Sequence, residues 1–173
     1  MNEDENKNID IKQLGYDDWQ DLKAIRLNAL QNNPQVFLRR YADEIKQDDA
    51  YWQRSFIGED AQFKAIFGLY AQGQIMGMCG IHPEAAAQRA ARLGGAYISA
   101  PYRGMGLANK MVKARLDWAR QSLLYDAVYV SHRQGNAPSQ AVIAKAGFCL
   151  EREEIILWPD GVKDAELIYK LAL

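Results

Sequence analysis

Two glycines between a predicted strand and the clearest predicted helix constrain the fold more than any other feature of the chain. Residues 93–98 are typical of a strand, and residues 104–122 place apolar side chains along one face of a helix. Gly104 and Gly106 allow a tight turn between the two elements and leave its backbone amides uncovered. Uncovered amides at a helix N-terminus form an anion site, for which a diphosphate is a natural ligand. The alternative is that the glycines only make the turn compact.

The rest of the chain alternates between strand and helix patterns, which predicts an α/β fold with a mixed sheet. The predicted elements are a strand at 9–14, two or three helices between 16 and 56, strands at 63–70 and 75–81, a helical turn or loop at 84–91, a strand at 93–98, the helix at 104–122, a strand at 127–130, a helix at 137–146, and strands at 148–157 and 166–171. Hairpins require antiparallel neighbours, whereas strand–helix–strand units permit parallel ones. We expect a disordered polar tail at 1–8 and a single domain at 9–173.

The composition argues against several classes of function. Lys and Arg number 21 against 22 Asp and Glu, and this balance disfavours nucleic acid as a partner. No apolar stretch approaches the roughly 20 residues of a membrane span, so no membrane contact is expected. Cys79 and Cys149 are too few for a disulfide framework and are interpreted as reduced core residues of a cytoplasmic protein. The two histidines form no cluster with cysteine, so no metal site is expected.

Three kinds of phosphate-binding loop can be compared with the glycine turn. A Walker-type loop needs Lys and then Ser or Thr after its last glycine, but Gly106 is followed by Leu107 and Ala108. A dinucleotide fingerprint needs a third glycine where this chain has Asn109. The third pattern, Arg-x-x-Gly-x-Ala, is matched by Arg103, Gly106 and Ala108. It resembles the acyl-CoA pyrophosphate loop of the GNAT superfamily of N-acetyltransferases.

A second motif further along the chain strengthens this resemblance. GNAT enzymes typically carry Asn-x-x-Ala, then a Tyr, then Gly-Phe, between the fifth strand and the end of the last helix. Asn136 and the pair at 147–148 match that pattern. Ser139 stands in for the Ala, and Ile143 stands where the Tyr is expected. Because 26–37 also looks like the lid helices of small-molecule members, the chain is identified as a GNAT protein of that type.

The resemblance implies both the fold and the cofactor site. It implies a GNAT-like, mostly antiparallel mixed sheet of about six to seven strands, with a splayed central strand pair and about four to five flanking helices. The gap between the splayed strands would take the pantetheine arm of acetyl-CoA. The residues implied in cofactor binding are the main chain of Ala96 and Ile98 for that arm, the amides of Arg103, Gly104, Met105, Gly106, Leu107 and Ala108 for the diphosphate, and Asn136 and Ser139 beside the pantetheine.

The implied reaction is direct attack of an amine on the acetyl thioester. An alkylammonium has a pKa of about 10.4, so a base must remove its proton near neutral pH. The candidates for that base are His82, Glu84 and His132, although each histidine could instead cap a strand and Glu84 could be a solvated carboxylate. The thiolate-protonating Tyr of the family falls at Ile143, which cannot donate a proton. Another donor would then be needed: water, Tyr97, Tyr129 or Ser139.

Three functions follow from the resemblance. The first is an acyl-CoA-dependent N-acetyltransferase that acts on a primary amine of a small molecule or amino acid. The second is a catalytically silent acyl-CoA-binding sensor module, for which Ile143 is the main support. The third is acetylation of a protein N-terminus or lysine, which the near-zero charge makes less favourable. Acetyl-CoA is the expected cofactor, without metal, and the resemblance also allows a homodimer.

Overall fold

The computed structural model describes residues 9–173, which form one seven-stranded sheet with helices on both faces. The elements are β1 (Ile9–Gln13), α1 (Trp19–Asn32), α2 (Tyr41–Glu44), α3 (Asp49–Gln53), β2 (Ala65–Ala71), β3 (Gln74–Pro83), β4 (Ala90–Ile98), α4 (Leu107–Ser122), β5 (Ala127–Arg133), α5 (Ala137–Lys145), β6 (Cys149–Leu157) and β7 (Lys163–Ala172). The predicted α/β fold with five helices is therefore confirmed. The tail predicted at 1–8 lies outside the described residues.

The strands are arranged in the order β1-β2-β3-β4-β5-β7-β6. Of the neighbouring pairs in this described sheet, only β4 and β5 are parallel. The long helix α4 makes the crossover between these two strands, as a parallel connection requires. The prediction of a mixed, mostly antiparallel sheet is confirmed. Within residues 9–173, none of the helices has the length and apolar character that a bilayer span requires.

The two faces of the sheet are covered differently. On one face α4 and α5 bury Met111 and Ile143 in the same hydrophobic cluster as Val128 of β5. On the other face α1 packs through Leu22 and Ile25 over β2, β3 and the end of β4. Over β5 and β7 that second face has only a small apolar cluster, which leaves room there for polar side chains.

Three local predictions differ from the structure. β4 begins at Ala90 rather than Leu93, because the small residues at its start pair with the start of β5. α4 begins after the glycines rather than at Gly104, because both have backbone conformations that a right-handed helix does not allow. The interpretation of Cys149 as a core residue is wrong, because it begins the exposed edge strand β6, whereas Cys79 is buried.

The central strand pair separates part-way along its length, as the resemblance implies. β4 and β5 pair from Ala90 with Ala127 as far as Leu93 with Val130, and the ladder then ends. Beyond that point β4 continues beside β3, while β5 continues beside β7. A bulge at 95–96 of β4, where Gly95 has a φ of +62°, accompanies the separation. The result is an opening between the two strands in the middle of the sheet.

The backbone approaches closely at Gly77 of β3, opposite the end of β4, and this approach should make Gly77 sensitive to substitution. A Cβ at Gly77 would lie 2.7 Å from the Tyr97 carbonyl oxygen and 3.2 Å from the Cβ of Leu69. Gly77→Ala should therefore lower the free energy of unfolding by about 1–3 kcal/mol through overpacking. Chemical denaturation measures this change directly.

The matched control is Gly80→Ala on the same strand. A Cβ there would meet only carbonyl oxygens at 3.7 Å, which is ordinary contact. The free energy of unfolding of this variant should stay within about 1 kcal/mol of the wild-type value. Equal stability of the two variants would contradict the close approach at Gly77.

Candidate active site

The turn that joins β4 to α4 has the geometry of an anion cradle. Gly104 has a φ of +77° and Gly106 a φ of +74°, and Gly106 is the residue that caps the N-terminus of α4. Residues other than glycine rarely adopt this left-handed backbone conformation. A Cβ built at either glycine would meet no atom within 4 Å, so the space outside the turn is open.

Several amides of the turn are free to bind a ligand. Within residues 9–173, the amides of residues 104–108, including that of Met105, have no hydrogen-bond acceptor, whereas the Arg103 amide donates to the Ala100 carbonyl. The free amides lie at the positive end of a 16-residue helix. The turn is anchored by Met105, which packs against the core below α4. This arrangement suits a diphosphate, as predicted from the two glycines.

The Arg103 side chain is held by other residues of the chain and does not extend freely into the cradle. Its Nε donates to the Ile98 carbonyl at 2.8 Å, and its terminal nitrogen donates to Asn33 Oδ1 at 2.9 Å. Its guanidinium also lies 5.7 Å from the centre of the Tyr97 ring. Arg103 therefore ties the end of β4 to the end of α1. Ala96 is exposed at the bulge, next to the opening between β4 and β5.

The second predicted motif, which begins at Asn136, forms the N-terminal cap of α5 shortly after β5 ends. Asn136 Oδ1 accepts a hydrogen bond from the Ser139 amide at 3.2 Å, which is the ordinary contact of an N-cap residue. Asn136 and Ser139 are half-buried, so both keep some exposed surface near the opening. Ile143 is 4% exposed and belongs to the core between α5 and the sheet. The helix therefore presents no proton donor at position 143.

His132 is buried on the same face of the sheet as α5. Its Nδ1 lies 2.8 Å from the Arg133 carbonyl oxygen, and its Nε2 lies 3.1 Å from the Tyr169 hydroxyl, with the two rings stacked. The carbonyl can only accept, so Nδ1 donates to it, and in the neutral tautomer that this bond selects Nε2 would accept from the Tyr169 hydroxyl. Burial, together with the charge of Glu153, raises the pKa of Tyr169.

His82 and Glu84 lie on the opposite face, near the end of the β4–β5 ladder. His82 is exposed, and its Nε2 would be 3.2 Å from a Cβ at Gly94, so the ring lies over that glycine. Glu84 Oε2 accepts from Arg92 Nε at 2.5 Å, and Oε1 accepts from the Ala86 amide at 3.1 Å. Burial alone would raise the pKa of Glu84, but the Ala86 amide, Arg92 and His82 together lower it.

Two further polar residues complete a cluster on this face. Arg92 donates from a terminal nitrogen to Ser131 Oγ at 3.2 Å, and Ser131 Oγ lies 2.5 Å from Glu166 Oε1. The cluster therefore runs from the loop after β3 through β4 and β5 to β7. No motif marks Arg92, Ser131 or Glu166, and the sequence analysis misses all three because strand register brings them together. The structure thus groups His82 and Glu84 with this cluster and places His132 apart from them.

The family follows from a comparison of the chain with family models. The model of the acetyltransferase (GNAT) domain matches residues 13–149, which is well over half of the chain. The chain belongs to the GNAT family of acetyltransferases. It is therefore an acetyl-CoA-dependent N-acyltransferase by family, as the glycine turn and the Asn136 motif predict.

Solved structures of GNAT proteins share the fold of this chain at low sequence identity. A GNAT-family acetyltransferase from Streptococcus pneumoniae has 16% identity and a TM-score of 0.79, over 95% of this chain and 99% of that one. The protein yncA from Salmonella typhimurium, solved with its cofactor acetyl-CoA, has 15% identity and a TM-score of 0.76, over 96% and 95%. A ribosomal-protein-alanine N-acetyltransferase from Brucella melitensis has 17% identity and a TM-score of 0.72, over 94% and 99%. A search of curated proteins finds no match.

The residues of this GNAT chain fit acetyl-CoA. The free amides of residues 104–108 would hold the diphosphate, and the open space outside both glycines is the room it needs. The opening between β4 and β5 would admit the pantetheine arm, with Ala96 and Ile98 on one side and Asn136 beyond the other strand. Among residues 9–173, no group of three or more His, Cys, Asp or Glu is placed to hold a metal ion.

A groove lies between the lid of this GNAT chain, here the segment 38–51 with α2 and α3, and the turn between β6 and β7. It has a volume of about 360 Å³, and its lining residues are Leu38, Arg39, Arg40, Asp43, Glu44, Gln47, Tyr51, Leu157, Trp158 and Pro159. Arg133, at the end of β5, joins the two walls by bonding Asp160 at 2.6 Å, Asp164 at 2.9 Å and the Gln35 carbonyl at 3.3 Å. Arg133 shares the face of Ser131, because side chains alternate along a strand. The groove and the polar cluster therefore lie on one side of the sheet.

Replacing Gly106 should abolish binding of the cofactor. Gly106→Val would place a side chain in the open space at the cradle. Acetyl-CoA at about 100 times its Kd should stabilise the wild type by about 2.7 kcal/mol, and this stabilisation should be lost in the variant. Thermal unfolding with and without acetyl-CoA measures the difference.

Gly73→Val separates this effect from backbone strain. Gly73 has a φ of +77° and open surroundings in the β2–β3 turn, so its replacement introduces the same strain away from the cradle. This variant should keep the stabilisation by acetyl-CoA. A stabilisation that survives in Gly106→Val would contradict the assignment of the turn.

Glu84→Gln should change the pH dependence of stability. The pKa of Glu84 is lower in the folded protein than in the unfolded chain, where it is about 4.3. Ionised Glu84 therefore stabilises the fold fully above about pH 4.3, and this stabilisation is lost as the pH falls through the pKa of the folded state. The wild type should exceed the variant by about 1–3 kcal/mol in unfolding free energy near neutral pH. Denaturation at neutral and acidic pH should show this gap narrowing at acidic pH. Glu59→Gln, at an exposed glutamate, should stay near the wild type.

Proposed function

We propose that the protein transfers the acetyl group of acetyl-CoA to a primary amine of a small molecule or an amino acid, by direct attack of the amine. The observation that carries this proposal is the groove of about 360 Å³ between the lid and the β6–β7 turn. Such a volume suits a small ligand. The groove also lies on the same side of the sheet as the polar cluster at the end of the β4–β5 ladder.

The charges of the groove favour an acceptor that carries an acid group. Arg39 and Arg40 line it and make no ion pair with another residue of 9–173. Two acidic residues also line it: Arg26 neutralises Glu44 with two hydrogen bonds of 2.9 Å, and Asp43 leaves one carboxylate against the two arginines. An arginine binds a carboxylate through parallel hydrogen bonds. An amino acid, which carries both an amine and a carboxylate, has the chemistry that this groove would recognise.

The chain supplies the groups that this reaction needs. Acetyl-CoA provides an acetyl thioester whose sulfur is a good leaving group. A main-chain amide of β4 beside the opening would polarise the acetyl carbonyl, since a fixed backbone donor stabilises developing negative charge. Because position 143 is a buried isoleucine, a water molecule or another side chain would protonate the leaving sulfur. Of the three bases predicted from sequence, His82 and Glu84 face the groove side, whereas His132 is buried on the other.

The proposed function is tested in two steps. Thermal unfolding with acetyl-CoA, CoA, NAD and ATP at matched concentrations should give stabilisation by acetyl-CoA and CoA alone. Release of thiol from acetyl-CoA is then measured with amino acids, polyamines and peptides that offer an N-terminus or a lysine. Turnover with small amines supports the proposal. Binding without thiol release would favour the sensor module, and turnover with peptides alone would favour protein acetylation.

The groove predicts a preference among small acceptors. Amino acids should react with a lower KM than their amides, because only the former present a carboxylate to Arg39 and Arg40. Replacing both arginines by Ala should raise the KM for the amino acid about 10-fold or more through loss of charge-assisted hydrogen bonds. Steady-state kinetics with each amino acid and its amide measures this preference. Arg120→Ala, at an exposed position on α4, is the control. Equal KM values for acid and amide in the wild type would contradict the assignment.

A further inference from the structure

Glu166 of β7 is a carboxylate held in a fixed position beside the opening in the sheet. Its side chain is 13% exposed and faces the groove side, two residues along the strand from buried Ile168. Oε1 lies 2.5 Å from Ser131 Oγ and 4.0 Å from a terminal nitrogen of Arg92. Within residues 9–173, Oε2 has no hydrogen-bond partner. One oxygen is therefore used to hold the carboxylate, and the other is free.

The direction of each hydrogen bond follows from the donors available. A guanidinium only donates, so Ser131 Oγ accepts from Arg92. The single hydroxyl proton of Ser131 is then directed to Glu166 Oε1, which must accept it. Glu84 in turn holds Arg92 in place through Nε. The chain of contacts from Glu84 to Ser131 thus ends on a carboxylate that is oriented to accept a proton.

The position of Glu166 relative to the strand separation gives it access to a substrate. Ser131 directly follows Val130, the last residue of β5 that pairs with β4. The carboxylate that Ser131 holds is therefore next to the opening through which the acetyl group would be presented. Glu84, one of the three bases predicted from sequence, has both oxygens occupied by Arg92 and the Ala86 amide. Of these two carboxylates, Glu166 is the one with a free oxygen.

We propose that Glu166 is the catalytic base that accepts the proton of the acceptor ammonium, an inference that rests on the proposed function. One ammonium proton passes to Glu166 Oε2 and from there to solvent. The N–C bond forms as the thioester C–S bond breaks, and the second proton that the nitrogen loses ends on the leaving sulfur. Ser131 acts as a positioning residue, because it holds Oε1 and leaves Oε2 free.

Charged groups on several elements surround this carboxylate. Arg92 approaches from β4, Arg133 is its register partner on β5, and Glu154 is its register partner on β6. Glu84 and His82 lie beyond Arg92. The pH profile of kcat in the wild type therefore depends on all these charged groups. The difference between the profiles of the wild type and a Glu166 variant gives the contribution of Glu166 alone.

The test uses Glu166→Gln, which keeps the acceptor oxygen for Ser131 and removes the base. Thiol release should show kcat lowered about 100-fold or more at neutral pH, with acetyl-CoA binding unchanged by thermal shift. The kcat of the variant should rise about 10-fold per pH unit through the mildly alkaline range, because only spontaneously neutral amine then reacts. The wild type should show a flatter profile.

Two further variants make the result specific. Glu153→Gln makes the same chemical change on the neighbouring strand, on the opposite face, and should keep the wild-type kcat and profile. Ser131→Ala should lower kcat about 10-fold, with little change in KM for acetyl-CoA, because the carboxylate loses one orienting bond. A Glu166→Gln variant with the wild-type kcat and pH profile would overturn the proposal.

Failure of this inference can be told from failure of the proposed function. A wild type that acetylates small amines while Glu166→Gln matches it refutes only the role of Glu166. A wild type that binds an amine by thermal shift but releases no thiol refutes the proposed transfer. In that case, loss of the amine shift in Glu166→Gln would still support contact between this carboxylate and the amine, and retention of the shift would refute it. A wild type that neither binds nor acetylates any amine contradicts both.

Discussion

The ladder between β4 and β5 ends after the pair Leu93–Val130, and the candidate active site is arranged around that end. One strand leads from there into the glycine turn and α4, and the other into the Asn136 cap of α5. The N-termini of α4 and α5 and the open gap therefore all lie at the carboxyl ends of β4 and β5. A bulge with a left-handed glycine accompanies the separation, and neighbours on the outer edges keep each strand paired beyond it.

The two faces of the sheet divide the chemistry of the site. On the α4 and α5 face the side chains are mostly apolar, buried Arg115 bonds main-chain carbonyls, and His132 is enclosed by Tyr169 and another main-chain carbonyl. On the other face α1 stops short of β5 and β7, and the uncovered area holds Arg92, Ser131 and Glu166. Buried polar groups must find partners, so this second face forms a connected network. Arg133, on the same face, separately joins the two walls of the groove through Gln35 and Asp160.

Local signals in the sequence predicted the turn and the helix N-terminus at which the cofactor is expected to bind. The turn requires glycine at 104 and 106 because both residues have a positive φ. The apolar face of α4 identifies the helix that follows them. The order of elements was likewise predicted, because strand and helix periods differ. Boundaries were less exact: β4 starts at Ala90 because its pairing with β5 extends it, and pairing is not visible within one segment. The prediction that Cys149 is buried is wrong because an exposed edge strand and a buried central strand can have the same apolar pattern.

The sequence by itself determined the fold class, the glycine turn before α4 and the presence of Ile143 in place of a proton donor, because each depends on residues close together in the chain. Only the tertiary structure grouped Glu84 of the loop after β3 with Arg92, Ser131 and Glu166 of three strands, because strand pairing brings these segments together. It also decided that His132 faces the core while His82 faces the groove side, since a shift of one residue along a strand reverses the face. The tertiary structure likewise placed the Arg103 side chain against Ile98 and Asn33, because these partners are brought together only when α1 packs beside the end of β4.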